Sequence, residues 1–284
     1  MSKHKSFKEI ATHYETIFFD AFGVLKNHKG LIPGIEKTFD YLDRRGINYY
    51  ILTNDASRGP RELAQSYNSR GLDQITSNKI ISSGMLARDY LKLKVKSGTV
   101  AYLGTKESAH YLETLGLHTV SIKDMNEEKA DDISALVFLD DEGFDWRHDI
   151  NKTINLLRNY NIPVIVSNTD TSYPVSNHEV AIAIGGISNM VEDIVGKQFI
   201  RFGKPDAQMF IFAYRHAIEK GGTEDKGKIL MVGDTLNTDI LGGNKFGLDT
   251  ALVLTGNTIP RLAETRINTT GIIPTYICES AAIL

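Results

Sequence analysis

The sequence predicts an α/β protein organised around a parallel sheet, and three observations carry that expectation. Short apolar runs recur along the chain, each followed by a polar loop and then by a segment with helical spacing. Most of the runs lack polar alternation, which is how strands covered on both faces read. Glycines stand where the helical segments should end, at Gly46, Gly71, Gly116 and Gly247.

Along the chain, the first strand is expected over Thr16 to Phe19, followed by a helix from Ile35 to Arg45. Asn48 to Leu52 reads as the next strand and Pro60 to Arg70 as the next helix, with Pro60 in the first turn, where its missing N–H does no harm. The pattern continues with strands at Thr99 to Leu103, Ala135 to Leu139 and Val164 to Val166, and helices at Lys106 to Leu115 and Asp149 to Asn159. The last third gives a helix from Asp206 to Lys220, a strand from Lys228 to Val232, a helix from Thr238 to Phe246 and a strand from Thr250 to Leu254.

A length of 284 residues suggests two domains, one of which could be inserted in the other. Hydrophobic residues at 42% and charged residues at 24% are ordinary for a soluble chain with a sizeable core. The formal charge of −3 leaves no electrostatic footprint for nucleic acid or an anionic membrane, so a small anionic ligand would need a local positive site. Cys278 is the only cysteine, which rules out an internal disulfide and a cysteine zinc cluster and leaves a packed thiol. No secretory pattern precedes the first strand, and the apolar runs are far shorter than the roughly 20 residues of a membrane helix. A cytoplasmic protein is expected, and a homodimer is compatible with these features.

Gly222 to Lys228 has the glycine and lysine spacing of a phosphate-binding loop, but Ile229 follows where a magnesium-binding hydroxyl is required, and the segment precedes a strand. It reads as a surface turn. A stronger signal lies at the ends of strands, because open α/β sheets bind ligands beyond the carboxyl ends of their strands. Asp20, Thr53-Asn54 and Asp234 each close an apolar run. One strand-end aspartate alone is usually a turn or cap residue. Asp20, Asp234 and Asp239 together would repel one another unless a cation lay between them, and magnesium suits oxygen ligands. Lys204, at the start of a helix where the macrodipole disfavours a cation, points to an anion nearby.

These residues resemble the haloacid dehalogenase-like hydrolases, in particular the class IIA phosphatases, which carry a large inserted α/β cap. Asp20-Ala21-Phe22-Gly23-Val24 is similar to the first motif of that family, Leu52-Thr53-Asn54 to the second, Gly203-Lys204-Pro205 to the third and Gly233 to Asp239 to the fourth. Flanks at Ile32-Pro33-Gly34, Ile81 to Gly84, Ser167 to Asp170 and Tyr173-Pro174 agree. The resemblance implies a Rossmann-like core from residues 1–81 and 200–284, with 82–199 inserted as the cap. It further implies Asp20 as the nucleophile, magnesium held by Asp20, Asp234 and the Phe22 carbonyl with Asp239 beside them, and phosphate oxygens held by Thr53 and Lys204. Asn54 and Asp55 of the core and Asn168 and Asp170 of the cap are implied to meet a small phosphorylated metabolite.

The chain departs from the family pattern at Phe22. The family carries there a second aspartate, which protonates the leaving oxygen and then activates water. Three readings follow: a phosphohydrolase that is slow or favours acidic leaving groups, one in which another carboxylate such as Asp55 moves the proton, and a non-catalytic protein that binds a phosphorylated ligand.

Overall fold

The structure, a computed structural model, describes residues 3–176 and 179–283. Two parallel sheets organise them. The larger runs Lys3–His4, Tyr276–Cys278, Asp249–Val253, Ile229–Gly233, Thr16–Phe19, Asn48–Thr53 and Ile80–Ser82. The smaller runs Ile200–Arg201, Val164–Val166, Ile133–Phe138, Thr99–Leu103 and His118–Ser121. Every neighbouring pair in both is parallel.

The unbroken apolar runs follow from this layering. Ile17, Phe19, Ile51 and Val232 pack on one face of the larger sheet with Phe39, Leu42 and Leu63, while Phe18, Leu52 and Met231 pack on the other with Met209, Phe210 and Ala213. Successive strand residues point to opposite faces, so a strand covered on both sides must be apolar throughout. The second of these clusters continues through Leu86 and Leu91 to Val100, Val137 and Ile165 of the smaller sheet, so apolar contact joins the two sheets. Cys278 is free and buried, and no described helix is long and apolar enough to cross a membrane.

The helices at Ile35–Arg45, Pro60–Asn68, His148–Asn159 and Ala207–Glu219 lie where helical spacing placed them. Asp206 caps the last of these, its side chain accepting from the Gln208 N–H at 2.8 Å. Two expectations need correction. Of Lys106 to Leu115, only His110–Glu113 is α-helical. Ser108 bonds back to Thr105 through both its N–H and its hydroxyl, and these local bonds hold turns in place of the helix ladder. The helix expected from Thr238 is regular only over Leu241–Phe246, after a wider turn at Leu236–Ile240. There the Asp239 side chain turns inward and accepts from the Thr235 N–H at 3.1 Å.

Helices at Ser83–Lys94 and Ile184–Val195 were not anticipated. The second carries two glycines, poor helix formers, in its first turn, and close approach explains them. A Cβ on Gly185 would lie 2.5 Å from the Asp170 carbonyl oxygen, and one on Gly186 2.6 Å from that of Thr171. The glycines let the loop at 168–171 lie against the helix.

Candidate active site

Asp20, Thr53 and Asp234 end three neighbouring strands near the middle of the larger sheet, which brings residues distant in sequence to one edge. Asp20 is fixed by its own N–H, which donates to the Val232 carbonyl at 2.8 Å. Lys204 reaches this edge from the loop before the helix Ala207–Glu219. Its ammonium lies 2.5 Å from Asp20 Oδ1 and 2.7 Å from Asp239 Oδ1, with the lysine side chain 3% exposed. Burial works against the lysine's charge, but Asp20 and then Asp239 outweigh it and hold its pKa above the ordinary value.

Asp234 is fully buried between close neighbours. Its carboxylate accepts from the Asn257 N–H at 2.5 Å and the Thr235 hydroxyl at 2.9 Å, and its own carbonyl accepts from the Thr258 hydroxyl at 2.6 Å. Gly23 and Gly256 make this fit possible: a Cβ on either would fall 2.1 Å or 1.9 Å from Asp234 Oδ2. Burial first, and then the charges of Asp20 and Asp239, push the Asp234 carboxyl well above its usual range. Asp239 is also raised, by burial and by Asp20 against the pull of Lys204.

One oxygen from each of Asp20, Asp234 and Asp239 lies within 4.8 Å of the others. Three carboxylates facing a single ammonium leave an excess of negative charge that a divalent cation would neutralise. The carbonyl of Phe22, two residues after Asp20, accepts no hydrogen bond from any described residue. Carboxylate oxygens with an unengaged backbone oxygen are the donor set a hard divalent cation takes, so these residues fit the metal that the family uses.

Thr53 is buried, and its hydroxyl oxygen accepts from the Asp55 N–H at 3.1 Å, leaving the hydroxyl hydrogen for another acceptor. Asp20, Phe22, Thr53 and Lys204 line a cavity of about 740 Å³ with Asp55, Asn168 and Asp170. Asn54 is not among the described residues lining it. Its amide donates to Asp170 Oδ1 at 2.9 Å, the Thr169 hydroxyl at 3.1 Å and the Lys204 carbonyl at 3.2 Å, and accepts from the Lys204 N–H at 2.7 Å. Asn54 therefore clasps three chain segments together. Asn168 shapes the same loop by accepting from the Asp170 N–H at 2.8 Å.

Along most of the chain, family models match: a haloacid dehalogenase-like hydrolase over residues 17–118 and a HAD-hydrolase-like model over 201–282. A solved structure from Cytophaga hutchinsonii, described as a possible sugar phosphatase of the HAD superfamily, is 58% identical, covers 100% of both chains and superposes with a TM-score of 0.95. The chain belongs to the haloacid dehalogenase-like hydrolases, in their class IIA branch. This hydrolase is also 28% identical to mouse chronophin, over 98% of this chain and 94% of that one. It is 29% identical to phosphoglycolate phosphatase 2 of Arabidopsis thaliana, over 89% and 87%. Its reaction class is that of a phosphatase.

Sequence reasoning passed over Thr235, Asn257 and Thr258, which hold Asp234, and the acidic run of Asp140, Asp141 and Glu142 that lines the cavity. The strand-end signal was present for both groups. Thr255 to Thr258 follows the strand Asp249–Val253 after a single residue, and Asp140 to Glu142 follows Ile133–Phe138 in the same way.

Proposed function

We propose that this hydrolase is a magnesium-dependent phosphatase of a small phosphorylated metabolite, which transfers the phosphoryl group first to Asp20 and then to water. The observation that carries the reading is the Lys204 ammonium between Asp20 and Asp239, with the buried Asp234 within 4.8 Å of both carboxylates and with Asp20 and Lys204 lining the cavity. The Lys204 ammonium, 2.5 Å from Asp20 Oδ1, orients the carboxylate that acts as nucleophile. The Thr53 hydroxyl and the Lys204 ammonium hold oxygens of the phosphoryl group in line with it. Magnesium, when bound by Asp20, Asp234 and the Phe22 carbonyl with Asp239 alongside, would offset the phosphoryl charge.

Residues 82–199 serve in this reading as the cap that closes over the site and selects the leaving group, and the strand Ile200–Arg201 still pairs in the cap's sheet. The names of the relatives support a small metabolite as substrate: besides those above, a Corynebacterium glutamicum protein 29% identical over 84% of this chain is a dihydroxyacetone phosphatase. The Phe22 ring cannot donate a proton, so acidic leaving groups should depart faster than alkoxides. The test is phosphate release from p-nitrophenyl phosphate, an acyl phosphate and alkyl phosphates, with magnesium and with a chelator, for the native chain and for Asp20→Asn. Magnesium-dependent turnover lost in Asp20→Asn supports the reading. Micromolar binding of phosphorylated ligands with no turnover of any of them would replace it with a recognition function.

A further inference from the structure

A phosphatase that releases an alkoxide needs a proton donor on the side of the phosphoryl group away from its nucleophile. Phe22 cannot fill that role. The donor must be a group that reaches the cavity and is held in register with Thr53 and Lys204. Besides the nucleophile Asp20, two carboxylates close to these residues line the cavity, Asp55 and Asp170. Asp55 Oδ1 already accepts two hydrogen bonds, from the Ser57 N–H at 3.0 Å and the Ser57 hydroxyl at 2.6 Å. Both tie that oxygen to its own loop.

The geometry points to Asp170 as the proton-transferring residue that stands in for the missing carboxylate, an assignment that rests on the phosphatase reading. Asp170 belongs to the cap loop, and the Asn54 amide that donates to its Oδ1 at 2.9 Å also donates to the Lys204 carbonyl at 3.2 Å. A single side chain adjoining Thr53 therefore sets Asp170 relative to both groups that hold the phosphoryl oxygens. The other Asp170 oxygen takes no hydrogen bond from any described residue and is left to the cavity. Gly185 and Gly186 permit the close backbone packing that supports this loop from behind.

The surroundings suit a proton donor. Burial raises the Asp170 carboxyl to about 6, against lowering by Lys204 and by the Asn54 hydrogen bond, and with further raising by Asp20 and Asp55. In the first step Asp20 Oδ attacks phosphorus, the bond from phosphorus to the leaving oxygen breaks with its electron pair on oxygen, and that oxygen takes the proton of Asp170. In the second, water attacks phosphorus, Asp170 recovers a proton from it, and the bond to Asp20 breaks with its electron pair returning to the carboxylate. Alcohol and phosphate leave, and Asp170 ends protonated, as it began.

The test compares kcat and KM for p-nitrophenyl phosphate and glycerol phosphate, with magnesium present, in the native chain, Asp170→Asn, Asp170→Glu and Asp55→Asn. Asp170→Asn should lower kcat for glycerol phosphate by about 10²-fold or more and for p-nitrophenyl phosphate by less than about tenfold, since nitrophenolate needs little protonation. It should also flatten the decline of the glycerol phosphate rate above about pH 6. Asp170→Glu should recover part of the loss, and Phe22→Asp added to Asp170→Asn should restore glycerol phosphate turnover. Equal losses on both substrates would make Asp170 a cap-positioning residue and overturn the assignment, as would the same split in Asp55→Asn in its place. Turnover of p-nitrophenyl phosphate with none of any alkyl phosphate would overturn it while leaving the phosphatase reading standing. No turnover of either substrate would remove both.

Discussion

In the phosphatase reading Phe22 bears on the site through two separate groups, a carbonyl oxygen that accepts no hydrogen bond from any described residue and the side chain of a residue that lines the cavity. Substituting the side chain changes the second and leaves the first in place. In the Asp170→Asn background, Phe22→Asp should therefore raise kcat on alkyl phosphates, within the roughly 10²–10⁴-fold that a positioned acid contributes and short of its upper end, because the gap left by the ring would fill with water, whereas the native chain, with Asp170 in place, should gain little. The gain should be smaller for p-nitrophenyl phosphate, and steady-state rates on both substrates check it. A well-folded, magnesium-binding variant with no gain on any alkyl phosphate would mean that the ring is a recognition group. Asp234→Asn bears on the metal instead: calorimetric magnesium binding should fall below detection, and with it the rise in Tm that a ligand of the folded state confers. Unchanged binding would place the metal elsewhere.

At the scale of elements, the strand ends present the site and glycines give the carboxylates room. Gly256→Ala would set a Cβ 1.9 Å from Asp234 Oδ2, so either the loop or the carboxylate must move. A cost of about 1–3 kcal/mol is expected for such overpacking, seen as a Tm lower by several degrees together with weaker magnesium binding. The loop after Ile133–Phe138 makes a different prediction. Burial, then Asp141, raise the Asp140 carboxyl to about 6, against a hydrogen bond from the Asp141 backbone. The folded chain thus holds this proton more tightly than the unfolded chain, whose carboxylates titrate near about 3.9. Stability contributed here is full below that value and is lost as pH rises through about 6. Asp140→Asn should raise the Tm at neutral pH by a few degrees and flatten this part of the pH dependence, as read by scanning calorimetry across the window. A lower Tm in the variant would show that the carboxylate is well satisfied as an anion. The strands that end in Asp20, Thr53 and Asp234 were legible because burial on both faces leaves a continuous apolar run with a polar stop. The helix Ile184–Val195 was not, since the glycines in its first turn answer to a backbone packed against it from a distant loop and not to helix propensity.

Across the whole molecule, apolar packing joins the two sheets on one side, and Asn54 joins them at the site. Asn54→Ala would leave the Lys204 N–H without its acceptor, at a cost of about 1–3 kcal/mol, while the Lys204 carbonyl keeps the Thr169 hydroxyl. Hydrogen exchange should quicken across 167–171 and at Lys204, with a higher KM and little change in overall secondary structure. Unaltered exchange in that loop would show that Thr169, whose hydroxyl donates to the Lys204 carbonyl at 2.7 Å, suffices alone. The positions of Asp20, Thr53, Lys204, Asp234 and Asp239 could be anticipated from motif order. That Asn54 would face inward as a fastener could not, because the role depends on a loop more than a hundred positions away. The clasp also bears on how the site lets go. In the phosphatase reading, the hydrogen bonds that hold the loop at 168–171 run through the same amide that steadies Lys204, so an outward swing of that loop would loosen the grip on a bound phosphate. Opening and discharge would then share one latch, and inorganic phosphate would not have to wait for a second rearrangement before it escapes.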